Sequence, residues 1–389
     1  MDAVIELLCA IMVGQATPFN WSAVSVVDWS NLLITAKDQG ALPLVYHHLS
    51  EQGWPASLPS VLRHALQADY YNVAAQNLLF LQELNRILAA VAQAAPVVVL
   101  KGAALGLTLY PSPSLRPLHD LDLLVPRIHL STAIDAIQRL GYSEQTNLIG
   151  GTPATEHHIA LQGGPRRVVP VELHWNLIGG DADWRSPPLE WFWQQTEEWR
   201  PHTASMSSPA GAGVLQLTPT SNLLYLAAHL MLQHGAAEGR LIWLYDLHLL
   251  ITSNPERLDW DEVRARARAF HWSAALHAAL DATQRCFRTP LPAGVLNALC
   301  TDTDAKTAAF VRRKAVAMSS TRSMWLRLVP LEPSARINYA WRAFFPSPSY
   351  MRWRYQPHPA WLWPLSYPYR WVGALRDAVR ALLQVAKGA

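Results

Sequence analysis

The chain has 389 residues, of which 50% are apolar, 16% charged and 17 are Trp. That excludes a mainly disordered protein, and at roughly 100–200 residues per domain it predicts two to three modules. A formal net charge of +3 excludes a general polyanion coat.

Residues 1–93 read as a helical module. Trp29, Leu32, Leu33 and Ala36 repeat at the spacing of one helix face, and Leu66–Ala94 is rich in Ala, Leu and Gln. The texture changes at Ala95-Pro96. Val97–Leu100 is a short β-branched run that predicts a buried strand, and a helix is expected from Gly102 to Leu109. After the Pro111–Ser114 break, His119–Leu123 alternates acid and apolar residues with the period of a strand. Ser131–Leu140 predicts a helix closed by Gly141, and His157–Gln162 and Val168–His174 predict two more strands. These elements define an α/β core over residues 94–215.

Residues 180–212, dense in Trp, Pro, Ser and Gly, read as an irregular connection. A helical domain follows over 216–345, with helices expected at Leu223–Gln233, Leu241–Ile251, Asp261–Phe270 and Ala274–Cys286. Residues 346–389 form a Pro/Trp/Arg-rich wrap ending in a helix over Trp371–Val385. The predicted fold class is α+β: a small mixed β-sheet core flanked by N-terminal and C-terminal helical modules.

No apolar run approaches the roughly 18 residues that span a bilayer. The three cysteines, Cys9, Cys286 and Cys300, lack CxxC spacing, which argues against a disulfide framework or thiolate zinc site. With no basic leader, a reducing, cytoplasmic location is the expectation.

The chemistry concentrates in three acids. Asp120 and Asp122 stand two apart on one expected strand, so both carboxylates share a face. Their mutual repulsion should raise one pKa unless a cation intervenes. Glu172 lies between Val171 and Leu173 on another expected strand. If the two strands are neighbours, three carboxylates converge, which suits Mg2+ or Mn2+ and two-metal phosphoryl or nucleotidyl transfer.

Leu100-Lys101-Gly102, then Asp120-Leu121-Asp122-Leu123, then Val171-Glu172-Leu173 resembles the nucleotidyltransferase superfamily that includes DNA polymerase β and the aminoglycoside nucleotidyltransferases. With Tyr110, Arg116, His174-Trp175, His229, His234 and Trp243–Asp246, the chain more closely resembles a family of uncharacterised nucleotidyltransferases. The resemblance implies that Asp120, Asp122 and Glu172 hold the metals and carry the catalysis. It implies that Gly102 and Ala103 offer backbone N–H groups to an NTP at a helix start. The superfamily's usual Gly-Ser is Gly-Ala here, so Lys101 and Arg116 are expected to add positive charge.

Other readings stand beside these. Lys101 also suits a structural ion pair, and Arg116 a loop arginine paired with Asp120 or Asp135. His229 and His234, with Arg240 and Asp246, suit a nucleotide-facing wall. Their spacing of five is poor for two ligands of one zinc, and helix packing is the plainer role. His47-His48 and His157-His158 are adjacent pairs expected to point apart. The interleaved Arg and Trp of the tail suit a packed lid more than a nucleic-acid surface. The expected activity transfers an NMP from an NTP to a hydroxyl or phosphate on a small molecule, peptide or protein. Phosphotransfer on the same core, or silent nucleotide binding, are the alternatives.

Overall fold

The computed structural model describes residues 3–14, 21–144, 157–163, 169–179, 187–202, 213–236 and 239–315, and parts of 337–376. The N-terminal module is helical: α1 (Ala3–Met12), α2 (Val26–Asp38), α3 (Leu42–Gln52) and α4 (Ser60–Val91). In α2 the expected stripe Trp29, Leu32, Leu33 and Ala36 is buried. Its first turn is closed by a capping box, with Ser25 and Asp28 each bonding the other's backbone N–H.

The core alternates β1 (Val97–Val99), α5 (Lys101–Thr108), β2 (Leu121–Leu124), α6 (Leu130–Arg139), β3 (Tyr142–Glu144), β4 (His158–Gly163), β5 (Pro170–His174), α7 (Leu189–Gln194), β6 (Thr196–Glu198) and β7 (Val214–Leu217). They form one seven-stranded mixed sheet in the order β3-β4-β5-β2-β1-β7-β6. The α+β class is therefore observed. β2 pairs in parallel with β5, in register Leu121↔Val171, Asp122↔Glu172, Leu123↔Leu173 and Leu124↔His174.

The strand alternation divides the core in two. Val97, Val99, Leu121, Leu123, Val171 and Leu173 face one cluster with Leu84, Leu88 and Val91 of α4 and Ala133 and Ile137 of α6. Val98, Leu100, Leu124 and Leu217 face another cluster, shared with Leu224, Tyr225 and Ala228. Asp122, Glu172 and His174 are on this second side, because each is one residue out of phase with the first set.

The helices that follow are α8 (Pro219–Ala228), α9 (Leu241–Ser253), α10 (Trp260–Ala269), α11 (Ser273–Phe287), α12 (Val295–Thr301) and α13 (Ala305–Lys314). Beyond them α14 spans Pro348–Tyr355, and the Arg352 guanidinium lies 4.9 Å from the Trp363 ring centroid. Cys9 of α1 and Cys286 of α11 are in contact as free thiols. No helix among the described residues is long and apolar enough to cross a membrane.

Several boundaries differ from expectation. β2 starts at Leu121, so Asp120 precedes the strand. The stretch expected to be irregular holds α7 and β6. The charged Thr196-Glu197-Glu198 forms an edge strand, which carries no apolar alternation to read. The expected helix Leu223–Gln233 starts at Pro219 and becomes a π-helix over His229–His234. Most of the expected helix Trp371–Val385 lies outside the described residues.

Candidate active site

Lys101 leaves the buried end of β1 with φ 48°, a left-handed conformation that is rare for a long side chain. This sharp strand-to-helix turn places its side chain over β2 and β5. Its ammonium lies 2.8 Å from Asp122 Oδ1 and 3.9 Å from Glu172 Oε2. Burial opposes the charge, but Asp122 and Glu172 hold the Lys101 pKa above its ordinary value. Lys101 is thus the cation bound by the acidic pair.

Asp122 is 2% exposed and also meets His174 Nε2 at 2.9 Å. Burial works against its ionisation; Lys101 and His174 outweigh it, so the carboxyl sits well below the usual range. Glu172 is more open and lies 3.5 Å from His174 Nε2 and 3.6 Å from His158 Nε2. Burial raises its pKa, and the His174 contact leads the effects that bring it below normal. Asp120 has no such partner. The Asp122 charge, then burial and Glu172, push it up to about 7. The repulsion expected between the two aspartates therefore falls on Asp120.

Asp122, Glu172 and His174 can direct ligand atoms to one point, with those atoms within 4.8 Å of one another. The two carboxylate oxygens are compatible with a divalent cation. Asp120, at the entry to β2, adds a third carboxylate to the same negative field.

Gly102 follows Lys101 in the first turn of α5. A Cβ there would meet Leu118 Cδ2 at 3.2 Å and Arg116 Nη1 at 3.6 Å, so the glycine permits close packing beneath the turn. Ala103 is buried behind it. The first N–H groups of a helix have no intrahelical partner and remain available to an anion.

Arg116 and Asp246 form a buried fork. Arg116 Nε lies 3.0 Å from Asp246 Oδ1, and Nη2 lies 2.8 Å from Oδ2. The Tyr110 hydroxyl donates to Asp246 Oδ1 at 2.7 Å, and Arg116 Nη1 donates to the Pro117 carbonyl at 2.7 Å. Arg116 therefore pairs with Asp246, not with the expected Asp120 or Asp135. The pair ties α9 to the loop before β2. Both groups face each other rather than the three carboxylates. Arg240 is more open, with Nη1 3.0 Å from His119 Nε2.

The expectations for the histidine pairs are corrected. His47 and His48 do not point apart: their ring centroids lie 5.1 Å apart. His229 and His234 meet edge-on with ring centroids 4.8 Å apart, because a π-helix brings i and i+5 onto one face. His234 continues onto Trp243 at 4.7 Å. His157 and His158 do not point apart: His157 lies just outside β4, where strand alternation no longer applies, and their rings meet at 4.5 Å.

Sequence reasoning missed Asn77. This buried α4 side chain donates to the Pro113 carbonyl at 2.7 Å and to the Arg116 carbonyl at 2.9 Å, and accepts from Leu118 N–H at 3.1 Å. It clamps the loop that delivers Asp120. A polar residue on the buried face of a long helix was the available signal. Tyr225 was also missed. Its buried hydroxyl lies beside Lys101 with no well-formed hydrogen bond, and burial raises its pKa.

A cavity of about 570 Å3 lies elsewhere, between α5, β6–β7 and α8–α9, lined by Thr108, Glu197, Arg200, Asn222 and Arg257 among others. None of the three carboxylates lines it.

The family model for uncharacterised nucleotidyltransferases matches residues 25–288. The chain belongs to this family. The match covers α2 through α11, including every carboxylate of the site. No curated protein and no solved structure matches the chain. Membership of this nucleotidyltransferase family implies an NTP and a divalent cation.

The site also predicts acid sensitivity. Burial, followed by nearby positive charge, lowers His158 and His234 to about 4, and carries His157 and His229 well below normal. The unfolded chain takes up these protons near pH 6.5, so this contribution to stability is complete above 6.5 and is lost as pH falls toward 4. His174, held above its ordinary value despite burial and Lys101, acts in the opposite direction. Asp120, pushed up to about 7, is also relieved as pH falls, so after allowance for solvent screening the net loss between pH 7 and 5 is about 2–3 kcal/mol. Differential scanning calorimetry should show Tm falling by about 2–4 °C. An unchanged Tm would contradict this assignment.

Proposed function

We propose that this chain transfers a nucleoside monophosphate from an NTP to a hydroxyl or phosphate on a small molecule, peptide or protein, with pyrophosphate as the leaving group. The observation that carries this reading is the in-register Asp122↔Glu172 pair, led by Asp120 and set beside a tight strand-to-helix turn. The donor set fits a hard divalent cation, because Lys101 already shows that the Asp122–Glu172 pair binds positive charge. Asp120, Asp122 and Glu172 would hold Mg2+ or Mn2+. When bound, such a cation offsets the charge of the triphosphate and of the entering and leaving oxygens.

The chain's own groups complete the reading. The Lys101 ammonium moves from Asp122 to the phosphates, a shift its four-carbon stem permits. Gly102 and Ala103 present backbone N–H groups to the same anion. Glu172, the more open carboxylate, accepts the proton of a hydroxyl acceptor. His229, His234 and Trp243 form an aromatic wall against which a base or acceptor stacks. Arg116 and Asp246 position the loop that bears Asp120. A cytoplasmic location accords with the free thiols.

Purified chain incubated with α-labelled NTPs, Mg2+ or Mn2+ and candidate acceptors should yield products heavier by one nucleoside monophosphate. Products heavier by one phosphate would mark phosphotransfer instead. Glu172→Gln should slow transfer by about 100-fold or more, the scale of losing one preorganised catalytic group. Wild-type rates in this variant would place the reaction elsewhere.

A further inference from the structure

The antiparallel β4–β5 register sets His158 directly opposite His174. His157 is fixed just before β4, where its carbonyl accepts from Trp175 N–H at 2.9 Å and Asn176 N–H at 3.2 Å. Three imidazoles therefore meet at one end of the strand pair, with ring centroids 4.5–5.4 Å apart. Each offers one nitrogen, and these lie within 4.8 Å of one another.

Two details point to a ligand. His157 Nε2 and His158 Nδ1 are 3.3 Å apart. Two nitrogens bound tetrahedrally to Zn2+ at about 2.0–2.1 Å lie roughly 3.3–3.4 Å apart. His174 is 0% exposed, and its Nδ1 has no hydrogen-bond partner. Its other nitrogen, Nε2, contacts Asp122 Oδ1 at 2.9 Å. A metal-bound histidine characteristically directs its second nitrogen to a carboxylate in this way.

We propose that His157, His158 and His174 form a second metal site, for a borderline divalent ion of the zinc type. Its all-nitrogen donor set differs from the oxygen-rich Asp120–Asp122–Glu172 set, and imidazole selects Zn2+, Co2+ or Ni2+ over Mg2+. The fourth position is open to water. Metal on His174 Nδ1 leaves the proton on Nε2, where it is donated to Asp122, so the two sites are linked through one ring. The binding claim is independent of the transfer reaction.

The test uses full-length protein stripped with a chelator and titrated with Co2+, whose visible absorption is intense in tetrahedral and weak in octahedral coordination. The expected result is one tight tetrahedral site that stoichiometric Zn2+ displaces and millimolar Mg2+ does not. His157→Ala should weaken it by about 100-fold, with the fold checked by circular dichroism. His47→Ala/His48→Ala, which removes the separate surface cluster with Glu51, should leave it intact. A weak octahedral spectrum from the wild-type protein overturns the proposal without any variant. So does a tetrahedral band that survives in folded His157→Ala, disappears in His47→Ala/His48→Ala, or yields to Mg2+.

Discussion

Asp122→Asn and Asp120→Asn should both reduce nucleotidyl transfer by about 1,000-fold or more, yet move Tm in opposite directions. The common loss follows from removing a carboxylate that balances charge at the reacting phosphate. The divergence follows from their surroundings. Asp122 is buried and faces two N–H donors, Lys101 Nζ and His174 Nε2. An amide there brings its own NH2 into that donor set and leaves Lys101 with the 3.9 Å contact to Glu172 as its nearest carboxylate among the described residues. Loss of one partner from a buried ion pair costs about 3–5 kcal/mol.

Asp120 has the reverse problem. Its pKa is pushed up to about 7, first by Asp122 and then by burial. A folded pKa above the unfolded value near 3.8 means that ionised Asp120 weakens the fold once pH rises past 3.8, with the full effect above 7. At pH 8, Asp120→Asn should therefore stabilise the metal-free protein by about 1–2 kcal/mol after screening, and raise Tm by a few degrees. Calorimetry and transfer assays on the two variants check both halves. A stabilised Asp122→Asn, or an active Asp120→Asn, would contradict the charge distribution described for the site.

The largest purely structural effect is expected at Arg116. Arg116→Met strands the buried Asp246 carboxylate with only the Tyr110 hydroxyl, at a cost of about 3–5 kcal/mol. Asp246→Leu strands the guanidinium in the same way. The double variant replaces both charges with apolar groups and should recover much of the loss, giving a coupling of about 2 kcal/mol or more in a double-mutant cycle. Denaturant unfolding measures each term. Simple addition of the single losses would show that the fork contributes no coupling. Arg116→Met should also lower transfer, because the same loop delivers Asp120.

Asp122 and Glu172 were legible because they follow a simple periodicity, whereas Asp120 stands one residue before β2. Leu-Asp-Leu and Val-Glu-Leu alternate as half-buried strands do, and parallel pairing then aligns Asp122 with Glu172. Helix α2 was legible from its apolar stripe. What stayed hidden depends on contacts distant in sequence. Asp246 lies 130 residues from Arg116, and no local pattern specifies that pair. The π-helix was hidden because one extra residue per turn changes which histidines share a face. The meeting of His157 with His158 depends on where β4 begins. The edge strand β6 was hidden because its charged residues protect a sheet margin rather than fill a core.

The sheet order bears on how the chain can be built. β1, three valines, pairs with β2 on one side and with β7 on the other, with Val97 opposite Val214. During synthesis, β1, β2, β4 and β5 emerge well before β7, so the strands beside the carboxylates can associate while one flank of β1 stays bare. An uncharged, β-branched margin is a template for pairing with another chain. Protection comes when Val214–Leu217 docks, and Pro219 begins α8 two residues later. A fragment ending near residue 200 would retain all three carboxylates and still expose that margin. The strand that covers the margin beside the carboxylates thus carries none of them.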